Sequence, residues 1–202
     1  MNIALVKERL EGHTPGILGS KGIYSVLIPV AEIDGSLYLF FETRSKGVVQ
    51  GGEVCFPGGG VEEGETILEA ALRETEEEVG ISREDIEIVT QFDTVAGAGN
   101  RTIHSFIGIV KPEAVKNAVP EKGEVDEFFS IPVSFLMENE PFTCDYPVVP
   151  QIPKDFPYEK IGQKGGYNWR VSNARVISWE YEGHYLWGLT AALTKAFLEH
   201  LK

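Results

Sequence analysis

The sequence predicts one α/β domain over residues 1–202, with a mixed sheet sandwiched between helices, and three observations predict it. Two β-prone runs are joined by Asp34-Gly35, a hairpin signal. A helical segment at 66–79 carries start and stop signals at both ends, and a second helical pattern closes the chain from about residue 186 to 201. A chain of 202 residues with 43% apolar composition can fill one sizeable core.

Taken in order, residues 2–11 have the spacing of a short amphipathic helix that ends near Gly12. Residues 22–33 and 37–41 are the hairpin strands, rich in Val, Ile, Leu, Tyr and Phe. Glycines crowd residues 47–60, interrupted by a short strand at 53–56. Thr66 and Glu69 form a capping-box pattern, and Gly80 supplies the helix stop. Strands are expected at 86–95 and 102–110, then a turn at 121–123, a strand at 128–133 and a short apolar segment at 134–137. Residues 141–168 hold five of the eleven prolines and the Gly165-Gly166 pair, which predicts an irregular excursion. A strand at 175–181, the turn Glu182-Gly183 and the final helix complete the chain.

Composition narrows the function classes. A net charge of −13 removes the counterion-release term that drives nucleic-acid binding, so no nucleic-acid partner is expected. No apolar run approaches the ~20 residues that span a bilayer, and the first residues lack a charged-then-apolar pattern, so no leader is expected. The expectation is a cytoplasmic protein without a membrane partner, compatible with a homodimer. Cys55 and Cys144 follow no metal-ligand spacing and read as two reduced, partly buried thiols.

The chemistry concentrates in residues 66–79. At 100° per residue, Leu68, Leu72, Thr75 and Val79 fall in one arc expected to face the core. Glu74, Glu77 and Glu78 gather on the other side at i, i+3, i+4 spacing, with Glu76 nearby and Arg73 the one basic residue within the helix. Like charges at this spacing each cost a few tenths of a kcal/mol, and acids near a helix C-terminus oppose its dipole. Taken alone, such a cluster is more often a solvated face. Here it follows Phe56-Pro57-Gly58-Gly59-Gly60, a glycine-rich segment that lets backbone approach a ligand. Hard divalent cations prefer such oxygen ligands, shared with substrate phosphates.

Gly59, then Glu65 after five residues, then Arg73-Glu74-Thr75-Glu76-Glu77-Glu78-Val79-Gly80-Ile81 after seven more, resembles the Nudix box. Its one soft departure is Thr75, where a bulky aliphatic residue is usual. The resemblance implies a Nudix-type α/β/α sandwich with a loop–helix–loop catalytic box. It also implies Mg²⁺ or Mn²⁺ bound by Glu74, Glu77, Glu78 and the Gly58 carbonyl. Arg73 and Glu65 would orient the carboxylates, and water would attack one phosphorus of a small-molecule diphosphate. The general base would be Glu74 or a glutamate of a later loop, Glu124 or Glu127.

The flanks, Phe41-Glu42-Thr43-Arg44-Ser45 and Gly52-Glu53-Val54-Cys55-Phe56-Pro57-Gly58-Gly59, resemble the coenzyme A diphosphatase branch of that family. So do Glu124-Val125, Phe129-Ser130-Ile131-Pro132 and Trp187-Gly188-Leu189-Thr190-Ala191, and the similarity spans most of residues 24–198. The branch commonly carries more basic residues where this chain has Lys46-Gly47-Val48-Val49-Gln50-Gly51. Coenzyme A is the expected substrate, with ADP-ribose or a nucleoside triphosphate as the alternative and a non-catalytic ligand-binding regulator as a third reading. Arg44, Gly59 and Glu127 are candidate substrate contacts. Tyr146, Phe156, Tyr158, Tyr167 and Trp169 are candidates to stack on a base. His104 and His184 fit no triad, and Ser45 has no partner that would make it a nucleophile.

Overall fold

The structure is a computed structural model that describes residues 2–13, 16–98 and 100–202. After α1 (Ile3–Leu10), which buries no side chain, β1 (Gly22–Ile33) and β2 (Ser36–Arg44) form the expected hairpin. Asp34 and Gly35 adopt φ of 51° and 77°, the doubly positive turn that matches strand twist. Then come β3 (Val54–Cys55), β4 (Gly58–Gly60), α2 (Ile67–Val79), β5 (Ile86–Ala98) and β6 (Arg101–Val110). They are followed by α3 (Pro112–Lys116), β7 (Val125–Pro132) and α4 (Val133–Glu138). The last elements are β8 (Phe142–Val148), β9 (Ser172–Tyr181), β10 (His184–Trp187) and α5 (Gly188–His200).

The main sheet has seven strands in the order β3-β2-β1-β6-β5, with β7 also paired to β2 and β4 to β1. β1 and β6 run parallel and the other pairs antiparallel, so the sheet is mixed as expected. Its central strands are apolar on both faces because both are covered. Ile28 and Val30 of β1 and Leu39 and Phe41 of β2 join Trp179, Leu186, Leu193 and Phe197 in one cluster. Leu27 packs instead with Ala71 of α2 and Phe106, while Ala31 and Phe40 pack with Val79, Ile81 and Val115. Each large side chain so buried contributes about 1.5–3 kcal/mol. Among the described residues no helix is long and apolar enough to cross a membrane.

Several expectations are corrected. The stretch 141–168 is not wholly irregular: β8 pairs with β9 in a second, three-stranded sheet of order β10-β9-β8, and Tyr158–Ile161 form a 3-10 turn. Pro147 is tolerated because β8 is an edge strand, where a missing N–H breaks no ladder. Residues 184–187 belong to β10, so the last helix starts at Gly188 rather than about 186. The glycines 58–60 form a strand on β1 instead of a loop. α3, unforeseen, opens with Pro112 at its start, and residues 134–137 lie within α4. Cys144 is exposed on β8, whereas Cys55 is half-buried.

The helix α2 is fixed at both ends as its sequence demands. Thr66 Oγ1 accepts from the Glu69 N–H at 3.2 Å, and Glu69 Oε2 accepts from the Thr66 N–H at 2.8 Å. Gly80 stops the helix at φ 72°, its N–H donating to the Glu76 carbonyl at 3.1 Å. A Cβ there would sit 2.9 Å from the Val119 carbonyl oxygen. Gly80→Ala is therefore expected to lower stability by about 1–3 kcal/mol, read as a shift of the urea midpoint. An unchanged midpoint would show that this cap does not hold the helix end.

Candidate active site

The acidic end of α2 is organised by one side chain. The Arg73 Nε and Nη2 donate to both oxygens of Glu65, at 2.9 and 3.1 Å. Nη2 also reaches the Gly60 carbonyl at 3.0 Å, and Nη1 meets Glu74 Oε1 at 3.0 Å and Glu77 Oε2 at 2.9 Å. A guanidinium offers a planar fork of five N–H donors, which is what allows one residue to serve three carboxylates and a strand at once. Arg73, Glu65, Glu74 and Glu77, singled out in the sequence, are thus brought together.

Glu78 lies elsewhere than its position on the helical wheel suggested. The buried face of α2 consists of Ala70, Ala71, Thr75, Glu78 and Val79, while Leu68 and Leu72 are half-buried. The two alanines let the helix approach the sheet closely, which turns Glu78 inward to 4% exposure. Its Oε2 accepts from the Gly58 N–H at 2.8 Å. Thr75 is wholly buried, and its hydroxyl donates to the Ala71 carbonyl at 2.7 Å, so the polar atom is satisfied inside the helix.

Behind Glu78 stands Glu42 of β2, fully buried and absent from the sequence reading as a site residue. Burial, then the charge of Glu42, push the Glu78 carboxyl up to about 8. Burial foremost, with Glu124 and Glu74 adding repulsion, raises Glu42 to about 7 despite the Cys55 thiol and the nearby Arg44. The Cys55 Sγ donates to Glu42 Oε1 at 3.3 Å, yet Glu42 Oε2 has no hydrogen-bond partner. Arg44 Nη1 approaches the pair only to 4.0 and 3.9 Å. A sequence signal for Glu42 did exist: a lone acid within the apolar run of a central strand.

These carboxylates suit a hard cation. Acids crowded and desolvated beyond what one arginine can neutralise, with an orphaned buried oxygen among them, favour an oxygen-seeking divalent ion. Among the described residues, however, no three acidic, His or Cys side chains converge as a ready cage. Arg73 holds Glu74 and Glu77, while Glu78 turns toward Gly58.

A cleft of about 510 Å³ opens beside this cluster, a size usual for small-molecule sites. Gly58 and Gly59 form its border with α2, and a Cβ on Gly59 would lie 2.3–2.7 Å from the Glu74 carboxylate. Arg44 lines the cleft, its Nε donating to the Val49 carbonyl at 3.1 Å. The far walls come from Tyr24 and Arg101, which the sequence alone did not mark, and from Trp187 of the segment 187–191 that resembles the coenzyme A diphosphatase branch.

The later-loop acids separate. Glu124, whose carbonyl accepts from the Ser45 N–H at 2.8 Å, lies close enough to raise both Glu42 and Glu74. The Glu127 carboxylate instead meets His184 Nε2 at 3.0 Å, where the ring stacks on Phe129. His104 contacts Thr94 and Gln91 on the surface. Phe156, Tyr158, Tyr167 and Trp169 pack on one another and not in the cleft; Trp169 Nε1 donates to the Tyr158 hydroxyl at 3.1 Å.

Residues 24–151 match the NUDIX domain family. Nudix hydrolase 3 of Caenorhabditis elegans is 37% identical over 122 residues, covering 59% of this chain and 51% of that protein. A peroxisomal coenzyme A diphosphatase of Mus musculus is 32% identical over 123 residues, covering 60% and 51%. A mitochondrial coenzyme A diphosphatase of Homo sapiens is 24% identical over 195 residues, covering 95% and 75%. The chain thus matches about half the length of the first two relatives. Since the matched stretch takes in more than half of the chain and every carboxylate around α2, the chain belongs to the NUDIX domain family.

Proposed function

We propose that the chain hydrolyses a phosphoanhydride of a nucleoside-diphosphate-linked small molecule, coenzyme A or a derivative foremost. The observation that carries this reading is the acidic face of α2, held by Arg73 and set against two glycines that border a substrate-sized cleft. Two of the relatives are named coenzyme A diphosphatases, which supports the substrate. Nudix hydrolases generally use divalent metal ions. Mg²⁺ or Mn²⁺ would be held by Glu74, Glu77, Glu78 and the Gly58 carbonyl. When bound, it would supply charge neutralisation on the phosphoryl oxygens and make water more acidic.

The chain's own residues then do the following. Gly59 gives the diphosphate room to approach α2, and Arg44 offers N–H donors to a phosphate oxygen. A water oxygen forms a bond to one phosphorus while the bridging P–O bond breaks, and the bridging oxygen leaves with the second phosphate. The proton lost by water passes to Glu74, which borders Gly59, or to a later glutamate, of which Glu124 lies close enough to act on Glu74 whereas Glu127 is paired with His184. Arg73 and Glu65 keep the acids in register throughout, and orientation of this kind carries much of phosphoryl transfer. On coenzyme A the products are 3′,5′-adenosine bisphosphate and a phosphopantetheine.

Three outcomes are expected. Purified chain with Mg²⁺ or Mn²⁺ turns over coenzyme A faster than ADP-ribose at equal concentration, and chelation stops it; no product from coenzyme A would end the substrate assignment. Glu74→Gln abolishes turnover, and full activity in that variant would remove the catalytic reading altogether. Arg73→Gln lowers activity by roughly 10–100-fold, as loss of a ligand-orienting partner does.

Gly59→Ala separates stability from chemistry. Its Cβ would displace only the far end of the Glu74 side chain, so the urea midpoint shifts by less than about 1 kcal/mol while turnover falls at least tenfold. Equal effects on both measurements would mean that Gly59 serves the fold and not the site.

A further inference from the structure

The cleft contains two guanidinium groups, and the structure uses them differently. Arg44 is committed: it donates to the Val49 carbonyl and faces Glu42 and Glu78. Arg101 makes no side-chain hydrogen bond or ion pair among the described residues. Its contact is the Tyr24 ring, with Cζ 4.9 Å from the ring centroid. An aromatic face supports a cation without neutralising it and leaves the N–H fork free for another partner. Arg101 is exposed on the cleft wall, so its N–H groups are open to a ligand that enters there.

Strand register fixes where that arginine stands relative to the acids. On β1, Val26 pairs with Gly58 and Gly22 with Arg101, so the two positions are four residues apart. At about 3.3 Å per residue this is roughly 13 Å along the strand. The Arg101 side chain leans back over Tyr24, two residues nearer to Gly58. Gly59 pairs with Ser25 and Gly58 with Val26, so the Tyr24 seat stands one to two residues, roughly 3–7 Å along β1, from the glycine border.

We infer that Arg101, seated on Tyr24, is a second anion subsite that binds a phosphate monoester on the nucleoside of the substrate, remote from the anhydride that is cleaved. The inference rests on the diphosphatase reading and sharpens it. Residues 46–51 contain one lysine, and those of them that line the cleft, Val49 and Gln50, are uncharged. The missing positive charge comes instead from β6, on the other side of β1. A guanidinium meets a phosphate with two parallel N–H bonds, so the subsite selects for the phosphate and for its position. Trp187, on another wall of the same cleft, offers a flat apolar surface to the base.

Calorimetric titration of the full chain with 3′,5′-adenosine bisphosphate and with 5′-AMP tests this directly. The unaltered chain is expected to bind the bisphosphate at least tenfold more tightly. Arg101→Ala brings the two within about twofold by weakening the bisphosphate alone, and Arg101→Lys retains part of the difference. Equal weakening of both ligands, no change in either, or no measurable binding of the bisphosphate would overturn the subsite. Coenzyme A turnover by the unaltered chain keeps the two readings apart. Turnover without an Arg101-dependent preference ends the subsite and spares the diphosphatase, whereas the preference without turnover does the reverse.

Discussion

The guanidinium of Arg73 is the point on which the acidic helix end depends. Glu74, Glu76, Glu77 and Glu78 follow one another at the C-terminal half of α2, where neighbouring charges repel and the helix dipole opposes them. There is no basic residue in the last turn to compensate. Arg73 answers from one turn back, tying Glu74 and Glu77 to Glu65 and to the Gly60 carbonyl. Of these pairs only the one with Glu77 reaches an exposed partner, and an exposed ion pair adds little to stability. What Arg73 contributes is geometry, since a single planar group sets the spacing between helix, loop and strand.

A second constraint runs through the interior. Glu42 and Glu78 arrive from β2 and α2 and face each other where water cannot screen them. Two apolar residues of similar volume would fill the space at lower free energy. Retaining acids there makes sense only if the region is built to receive positive charge. The Gly58 N–H, the Cys55 thiol and Arg44 each satisfy part of the demand, and none satisfies it fully. Burial also holds the Cys55 thiol protonated, so it acts here as a donor and not as a nucleophile.

Much of this was legible in the chain because the signals are local. The capping box at Thr66, the stop at Gly80 and the turn at Asp34-Gly35 each lie within a few residues, and the structure keeps all three. Arg73 was marked as a partner of the acids by its place in the Nudix-like motif, and its contact with Glu77 is a local i, i+4 one. The inward turn of Glu78 could not be read, because it depends on how closely Ala70 and Ala71 let α2 approach β1. Glu42 and Arg101 were missed for a similar reason. Their neighbours come from strands far away in the chain, and strand periodicity says which face a residue occupies but not what stands opposite. The excursion 141–168 misled in another way: its prolines and the Gly165-Gly166 pair suggested an irregular path throughout, yet β8 is an edge strand that accommodates Pro147.

The hydrogen bond from Thr190 Oγ1 to the Val54 carbonyl, 3.2 Å long, joins residues 136 apart in sequence. The acids around α2, by contrast, are drawn together largely within the span 42–80. Reactive groups and the enclosure that chooses among ligands therefore reside on stretches of polypeptide with different assembly requirements. The first needs only a hairpin, a short strand and a helix. The second needs residues 54 and 190 to meet, and a contact of such sequence separation is slow to form. On the proposed function, alterations near Trp187 and Leu189 would reshape the cleft while leaving the carboxylates in place, a separation that would let specificity drift without loss of reactivity.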